Sequence, residues 1–235
     1  MPESLPKMAP PTPDFRHVDS WIFDLDNTLY RADSELFALI DARMTLYVSR
    51  ALKLPTEGAK ALQQAYYRAH GSTLCGLAAI DGVDPEEFLA FVHDIDLSAL
   101  KPDPALNEAV GRLPGRRFVF TNGCRHHAGR VLTRIGLAGA IDEIWDIRSL
   151  NFTPKPFVAA YERIMALGRI HASKAAMFDD IARNLVAAQE LGMTTVWLNT
   201  GSPWSQKGPE FPIVARQHIQ HETHDIAQFL SAIRL

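Results

Sequence analysis

The sequence has few of the features that mark whole classes of protein. It contains only two cysteines, Cys75 and Cys124, which are too few for a disulfide framework or a four-cysteine metal site and are compatible with a reducing compartment. No run approaches the roughly 18 apolar residues of a membrane span, and we see no secretory apolar segment. Lys and Arg number 24 against 27 Asp and Glu, a formal charge of −3, which argues against a polybasic nucleic-acid binder. We therefore expect a cytoplasmic protein with neither a membrane nor a nucleic-acid partner.

The overall composition is that of a chain that buries a core. Hydrophobic residues make up 47% of the 235 residues and charged residues 22%, which excludes disorder throughout. The length allows one large domain or a domain with a substantial insertion. Residues 1–18 contain five prolines and no sustained periodicity, so we expect a poorly ordered Pro-rich tail or a segment that covers an edge.

Short apolar runs separated by helical patterns predict the fold class. Strands separated by helices of 10–15 residues are typical of a parallel sheet. The sequence therefore predicts an α/β fold with a Rossmann-like parallel sheet core. The predicted strands are residues 21–25, 117–121, 143–147, 175–179 and 194–198, and the stretch from Arg216 to the end is predicted as one more helix.

A long helical segment interrupts this pattern after the first strand. Apolar residues at three- and four-residue spacing predict helices over 34–52 and 57–70, and Asp-Pro pairs begin two more at residues 84 and 103. We expect an all-helical cap to be inserted in the core. The predicted units are a Pro-rich tail at 1–18, an α/β core at 19–30 and 103–235, and a helical cap at 31–102, with hinges near Arg31 and Lys101–Pro102.

Acidic and polar residues follow the predicted strands. Asp24 and Asp26 lie two residues apart, so an extended backbone sends both carboxylates to one face. Asp179 and Asp180 end another strand, and ligands of open α/β sheets bind at the carboxyl ends of the strands. Carboxylate oxygens are ligands that Mg²⁺ prefers. Other polar groups predicted at this edge are Thr121, Asn122 and Gly123, which form a candidate anion cradle, and Lys155.

Taken together, these motifs resemble those of the haloacid dehalogenase superfamily. The resemblance rests on the order and spacing of Asp24-Leu25-Asp26-Asn27-Thr28-Leu29-Tyr30, Thr121-Asn122-Gly123, Lys155-Pro156 and Phe178-Asp179-Asp180 with Asn184. The helical insertion is similar to the C1-type cap of that superfamily. Three segments, 66–77, 85–93 and 113–116, are similar to the pyrimidine 5′-nucleotidase branch.

The resemblance implies a reaction and a role for each motif residue. Asp24 would be the nucleophile that forms an aspartyl-phosphate, and Asp26 the general acid and base, a role that asks for a somewhat raised pKa. Mg²⁺ would be held by Asp24, by the backbone carbonyl of Asp26 and by Asp180, with Asp179 beside it. Thr121, Asn122 and Lys155 would hold phosphoryl oxygens, with Asn184 orienting a metal-bound water or Lys155. The implied function is a Mg²⁺-dependent phosphomonoesterase whose small phosphorylated substrate is a pyrimidine nucleoside 5′-monophosphate.

Several alternatives stay open. The substrate is alternatively a sugar phosphate, flavin mononucleotide or a lipid phosphate, and a phosphomutase would keep the same residues. Asp26 argues against a dehalogenase, which needs no acid for an alcohol leaving group, and the intact acid set argues against a non-catalytic binding module. We expect Cys124 to be a small residue near the pocket, and His126 and His127 to lie on the outer face of a helix. The histidines at 218, 221 and 224 are expected to be incidental, and the aromatic residues of the cap mostly core.

Overall fold

A six-stranded parallel sheet forms the centre of the structure, in the order β3-β2-β1-β4-β5-β6. The computed structural model describes residues 12–30, 35–201 and 217–235. The strands are β1 (Ser20–Phe23), β2 (Arg116–Phe120), β3 (Glu143–Trp145), β4 (Ala175–Asp179), β5 (Thr194–Leu198) and β6 (His221–Thr223). Every neighbouring pair is parallel, so the predicted Rossmann-like α/β core is confirmed.

Helices cover both faces of the sheet. They are α1 (Leu36–Leu52), α2 (Thr56–His70), α3 (Thr73–Asp81), α4 (Pro85–Val92), α5 (Pro104–Gly111), α6 (Arg125–Ile135), α7 (Val158–Gly168), α8 (Asn184–Glu190) and α9 (Ile226–Ala232). Alternate strand residues point to opposite faces. Phe23 and Phe178 therefore share a core cluster with α5, α6 and α9, while Ile22 and Met177 share one with α7 and α8.

The helices α1 to α4 follow β1 in the chain, and we call them the helical cap. Their ends agree with local sequence signals. The helix α2 ends at Gly71, whose φ of +76° favours glycine, and the side chain of Asp84 accepts the N–H of Glu86 where α4 begins. The helix α3 was not predicted, although Ser72 caps its first turn through the N–H of Cys75. Residues 31–34, which contain one predicted hinge, lie outside the described residues, and the domain limits stay predictions.

The two ends of the described chain differ from what the sequence predicts. Phe15 is fully buried and stacks on Trp21 with ring centroids 5.8 Å apart, so residues 12–18 belong to the core; residues 1–11 lie outside the described residues. The single helix predicted at the C-terminus is wrong for residues 217–235, where β6 pairs with β5 before α9 begins. An edge strand of three residues is too short to leave an alternating pattern.

Among the described residues, no helix is long and apolar enough to span a membrane. The cytoplasmic location stays a prediction.

Candidate active site

The ends of three neighbouring strands bring the predicted site residues together. The strand β1 lies between β2 and β4; Asp24 follows β1, Thr121 follows β2, and Asp179 ends β4. Since parallel strands point their carboxyl ends the same way, these side chains meet at one rim of the sheet. In the turn after β1, Asn27 has a φ of +58°, a left-handed conformation that Asn tolerates.

Lys155 forms two buried ion pairs at this rim. Its Nζ lies 2.7 Å from Asp24 Oδ1 and 2.7 Å from Asp179 Oδ2, and its side chain is almost fully buried. Burial lowers the pKa of Lys155, but the carboxylates of Asp179 and Asp24 raise it more, so that the pKa lies above its ordinary value. Lys155 is therefore a fixed positive charge between two carboxylates.

Three buried carboxylates lie close enough to share a cation. Ligand oxygens of Asp24, Asp179 and Asp180 all lie within 4.8 Å of one another, while Lys155 supplies one positive charge. Burial raises the pKa of Asp180 well above its ordinary value, and neighbouring carboxylates add to the effect. Burial also raises the pKa of Asp24 to about 7, against the opposing charge of Lys155. Uncompensated negative charge of this kind favours a bound cation.

Asp179 and Asp180 differ in how much of their carboxylate is engaged. Asp179 accepts hydrogen bonds from Lys155, from Asn184 Nδ2 at 3.0 and 3.1 Å, and from the N–H of Ile181 at 2.9 Å. Oδ2 of Asp180 is buried without a partner in the described part of the chain. Asp180 is thus the freer ligand, and the donor set fits a hard cation such as Mg²⁺. Asn184 orients Asp179, so that its predicted effect on Lys155 is indirect.

Thr28 joins the first and the last of these motifs, a contact that the sequence analysis did not predict. Its hydroxyl lies 3.4 Å from Asp24 Oδ2 and accepts the backbone N–H of Asp180 at 3.1 Å. The only signal in the sequence is its position four residues after Asp24. Thr28 therefore fixes the distance between two candidate metal ligands.

Asn122 contacts the Lys155 backbone rather than presenting its amide to a ligand. Its Oδ1 accepts the N–H of Lys155 at 2.8 Å, and its Nδ2 donates to the carbonyl of Lys155 at 3.1 Å. The Thr121 hydroxyl accepts the N–H of Gly123 at 2.9 Å. The side chain of Asn122 thus places the loop of Lys155.

Asp26 is held by two donors on one oxygen. Its Oδ1 accepts the hydroxyl of Tyr30 at 2.7 Å and lies 3.2 Å from Nε2 of His127. Burial raises the pKa of Asp26, but the hydrogen bonds of His127 and Tyr30 outweigh it, so that the pKa lies below its ordinary value. The expectation of a raised pKa is wrong for this state of the protein, because these donors stabilise the carboxylate.

The placement of His127 on the outer face of a helix was also wrong. His126 is exposed, whereas His127 is fully buried. Residue 124 caps α6, so the third helical residue turns toward β1 and not toward solvent. Cys124 is buried, as expected for a small residue near the pocket, and its Sγ lies 3.2 Å from Nδ1 of His93.

A cavity of about 150 Å³ lies between the rim and the helical cap. On the core side it is lined by Asp24, Asp26, Asn122, Lys155, Asp180 and Asn184 among others. The side chains that the cap contributes are mostly aliphatic or aromatic, and they include Ile40, Met44, Tyr67, Leu74, Phe88, Leu89 and Val92. Site residues and cap therefore face one shared space.

The C-terminal histidines form no metal site in the described part of the chain. The acidic group at the rim is the one cluster of three or more potential ligands found there. His221 lies in β6, not on a helix where the three-residue spacing would matter.

A comparison with known families agrees with the motifs. A sequence profile described as hydrolase, haloacid dehalogenase-like hydrolase, matches residues 18–192. The chain belongs to this family. The resemblance drawn from the motifs is confirmed at the level of this haloacid dehalogenase-like family, while the assignment to its nucleotidase branch stays a prediction.

Individual relatives are more distant. Phosphate metabolism protein 8 of Saccharomyces cerevisiae is 28% identical over 204 residues, which are 80% of this chain and 63% of that protein. The chain thus spans less than two thirds of that relative's length.

Solved structures share the fold at low identity. The hydrolase YfnB of Bacillus subtilis, bound to magnesium, has 15% identity and a TM-score of 0.57, covering 93% of this chain and 99% of that one. The L-2-haloacid dehalogenase of Xanthobacter autotrophicus has 14% identity and a TM-score of 0.55, covering 91% and 97%. Because one structure is a hydrolase and the other a dehalogenase, the fold does not decide the reaction.

Proposed function

We propose that this member of the haloacid dehalogenase-like family is a Mg²⁺-dependent phosphomonoesterase that acts through an aspartyl-phosphate, with a pyrimidine nucleoside 5′-monophosphate as its substrate. The observation that carries the proposal is the meeting of Asp24, Asp26, Lys155 and Asp180 at one cavity. A nucleophile, a proton carrier, a positive charge and a free metal ligand then face the same small space. These are the parts that phosphoryl transfer requires.

Each of these residues has a defined part in the proposed reaction. Asp24 attacks phosphorus, and Asp26 gives a proton to the departing oxygen and later takes one from the attacking water. Lys155 holds Asp24 in place and stabilises phosphoryl oxygens, which the N–H groups of the Thr121–Gly123 turn also bind. A phosphoryl group beside Asp26 raises its pKa from the low value of the free protein, because negative charge favours the protonated acid.

The metal would be held by Asp24, the backbone carbonyl of Asp26 and Asp180, with Asp179 beside it. Bound there, Mg²⁺ offsets the repulsion between the Asp24 carboxylate and an anionic substrate. The unpartnered Oδ2 of Asp180 and the excess of negative charge in the cluster support this assignment.

Asp26 favours an ester over a haloacid. A halide leaves without a proton, whereas an alcohol needs one. Asp26 is held beside the cavity by Tyr30 and His127, an arrangement with no use in dehalogenation. We therefore place phosphate ester hydrolysis first and dehalogenation well behind it.

The composition of the cap wall favours a leaving group with an apolar, planar part. A polyol placed against Ile40, Leu74 and Leu89 would lose hydrogen bonds to water without replacement. A nucleobase presents ring faces to such a wall and keeps a few polar contacts, for which Tyr67 and His93 are available. Among the esters considered, this supports a nucleotide over a sugar phosphate.

The test is phosphate release from a panel of esters by the wild-type chain and by Asp24→Asn. We expect turnover of pyrimidine nucleoside monophosphates with Mg²⁺, its loss in EDTA, and recovery when Mg²⁺ is restored. Asp24→Asn should lower turnover by at least about 10³-fold, since it removes the nucleophile. Its unfolding temperature in EDTA should not fall, because a buried carboxylate leaves a crowded acidic cluster. Full activity of Asp24→Asn, or no release from any ester, would refute the proposal.

A further inference from the structure

His127 occupies a position that the proposed reaction does not yet use. It lies in the first turn of α6, fully buried, with Nε2 3.2 Å from Asp26 Oδ1. Its ring stacks on that of His93, with centroids 4.5 Å apart and an interplanar angle of 14°. A buried ring packed in this way has one orientation, so its contact with Asp26 is fixed by the fold.

The hydrogen bond to Asp26 requires a proton on Nε2 of His127. Nδ1 of His127 is buried without a partner among the described residues. If the proton lay on Nδ1 alone, a buried N–H would be unsatisfied and the Nε2 lone pair would face a carboxylate oxygen, and both arrangements are costly. His127 is therefore a donor to Asp26, like the hydroxyl of Tyr30.

Both donors bind the same carboxylate oxygen. Oδ1 of Asp26 accepts from Tyr30 and from His127. Oδ2 of Asp26 has no hydrogen bond from any residue in the described ranges, and the side chain lines the cavity. A carboxyl group held by one oxygen presents the other in a set direction, which is the requirement for proton transfer to a bound atom.

We propose that His127 is a positioning residue that, with Tyr30, reserves Oδ2 of Asp26 for proton transfer. The inference rests on the proposed function. In the first step an Asp24 oxygen bonds to phosphorus, the bond from phosphorus to the leaving oxygen breaks, and that oxygen takes the proton of Asp26 Oδ2. In the second step water attacks phosphorus and gives its proton to Oδ2, and the bond from phosphorus to Asp24 breaks.

The test compares two classes of ester in three variants. An alkyl phosphate such as a nucleoside monophosphate needs a proton on its leaving oxygen, whereas p-nitrophenyl phosphate releases a stable phenolate. His127→Leu should lower kcat/KM for the alkyl ester by about 30- to 100-fold, a part of the usual contribution of general acid catalysis, and by less than about 3-fold for the aryl ester. His127→Gln, whose amide N–H can replace Nε2–H, should recover most of the loss, and Tyr30→Phe should show the same dependence on leaving group.

The second step offers an independent readout. When Asp26 is misplaced, water attack slows while p-nitrophenol still departs, so His127→Leu should release a burst of p-nitrophenol in proportion to enzyme. His126→Ala, at the exposed neighbouring residue, should match the wild type in every assay.

The outcomes separate this inference from the proposed function. Equal losses on both esters, no rescue by Gln, or wild-type kinetics in both His127→Leu and Tyr30→Phe would overturn the positioning role. If His127→Leu does not fold, the Gln and Tyr30→Phe variants decide the matter. A wild-type chain that releases phosphate from neither ester would instead contradict the proposed function.

Discussion

The two walls of the cavity differ in almost every physical respect. The core wall carries Asp24, Asp26, Lys155 and Asp180, nearly all of which are buried and tied to other groups. The wall formed by the helical cap presents side chains such as Leu89 that make no directional contact. Directional contacts fix atoms to within a fraction of an ångström, whereas apolar contacts tolerate changes of shape. We infer that the core performs the reaction and the cap selects the leaving group.

The largest effect that this comparison predicts is at Lys155. Lys155→Met keeps the length of the side chain but leaves Asp24 and Asp179 as buried carboxylates without their partner. Removing one partner of a buried ion pair costs about 3–5 kcal/mol, and turnover of every ester should fall by at least about 10²-fold. Urea unfolding and phosphate release measure the two effects. Lys174→Met, at an exposed lysine, is the control; a Lys155→Met protein of wild-type stability would contradict the electrostatic account of the core wall.

A change in the cap wall should alter selectivity more than chemistry. Leu89 is only 2% exposed, so Leu89→Ala should destabilise the protein by about 2–4 kcal/mol. It should also change kcat/KM for a nucleoside monophosphate by about tenfold, with p-nitrophenyl phosphate within about threefold.

Its control is Leu167→Ala, since Leu167 is 51% exposed. Steady-state kinetics with both esters provide the measurement. Equal losses with both would show that the cap supports the chemistry directly, and the contrast between the walls would fail.

His93, which follows α4 where the cap meets the core wall, should make stability depend on pH. Burial lowers the pKa of His93 to about 3, and His127 adds to the effect, while an unfolded histidine titrates near the ordinary value of about 6.5. Between these values the unfolded chain binds the extra proton, so stability falls as the pH falls from about 6.5 toward 3. This residue alone contributes up to about 1.4 kcal/mol per pH unit.

His93→Asn removes the titrating group, so its free energy of unfolding should fall less steeply than that of the wild type over this range. Urea unfolding at several pH values gives both slopes. His126→Ala should retain the wild-type slope, and parallel slopes for His93→Asn and the wild type would show that His93 is not buried in its neutral form.

The smallest predicted effect is at a contact between the two walls. The guanidinium of Arg183 in the core lies 4.7 Å from the ring centroid of Tyr67 in the cap. Arg183→Met should lose the cation–π attraction, about 0.5–1 kcal/mol, and raise KM more than it lowers kcat, because closure of the cap weakens. Thermal unfolding and ester kinetics measure these changes. Arg169→Met, at an exposed arginine, serves as the control, and unchanged KM in Arg183→Met would mean that this contact does not hold the cap.

The strands and the acidic residues were the most predictable parts of the molecule. The strands at 175–179 and 194–198 have the predicted bounds, because buried parallel strands are continuous apolar runs. The positions of Asp24 and Asp179 follow from the strand ends. By contrast, α3 and β6 were missed, since one is a short helix without a polar face and the other is a short edge strand held by its neighbour.

The least predictable part was the surroundings of each site residue. Nothing local distinguishes His127 from His126, yet one contacts Asp26 and the other lies in solvent. The commitment of Asn122 to the Lys155 backbone joins residues 33 positions apart, a distance along the chain that no spacing rule covers.

By itself the sequence determined the order of the strands along the chain, the residue types at their carboxyl ends and, through these, the family and the expected reaction. The tertiary structure alone decided which carboxylate oxygen is engaged and which is open, which histidine is buried, and what kind of wall faces the acid cluster. The physical reason is range. Backbone propensity and apolar periodicity act over a few residues, whereas hydrogen bonding, desolvation and charge compensation depend on groups that only folding brings together.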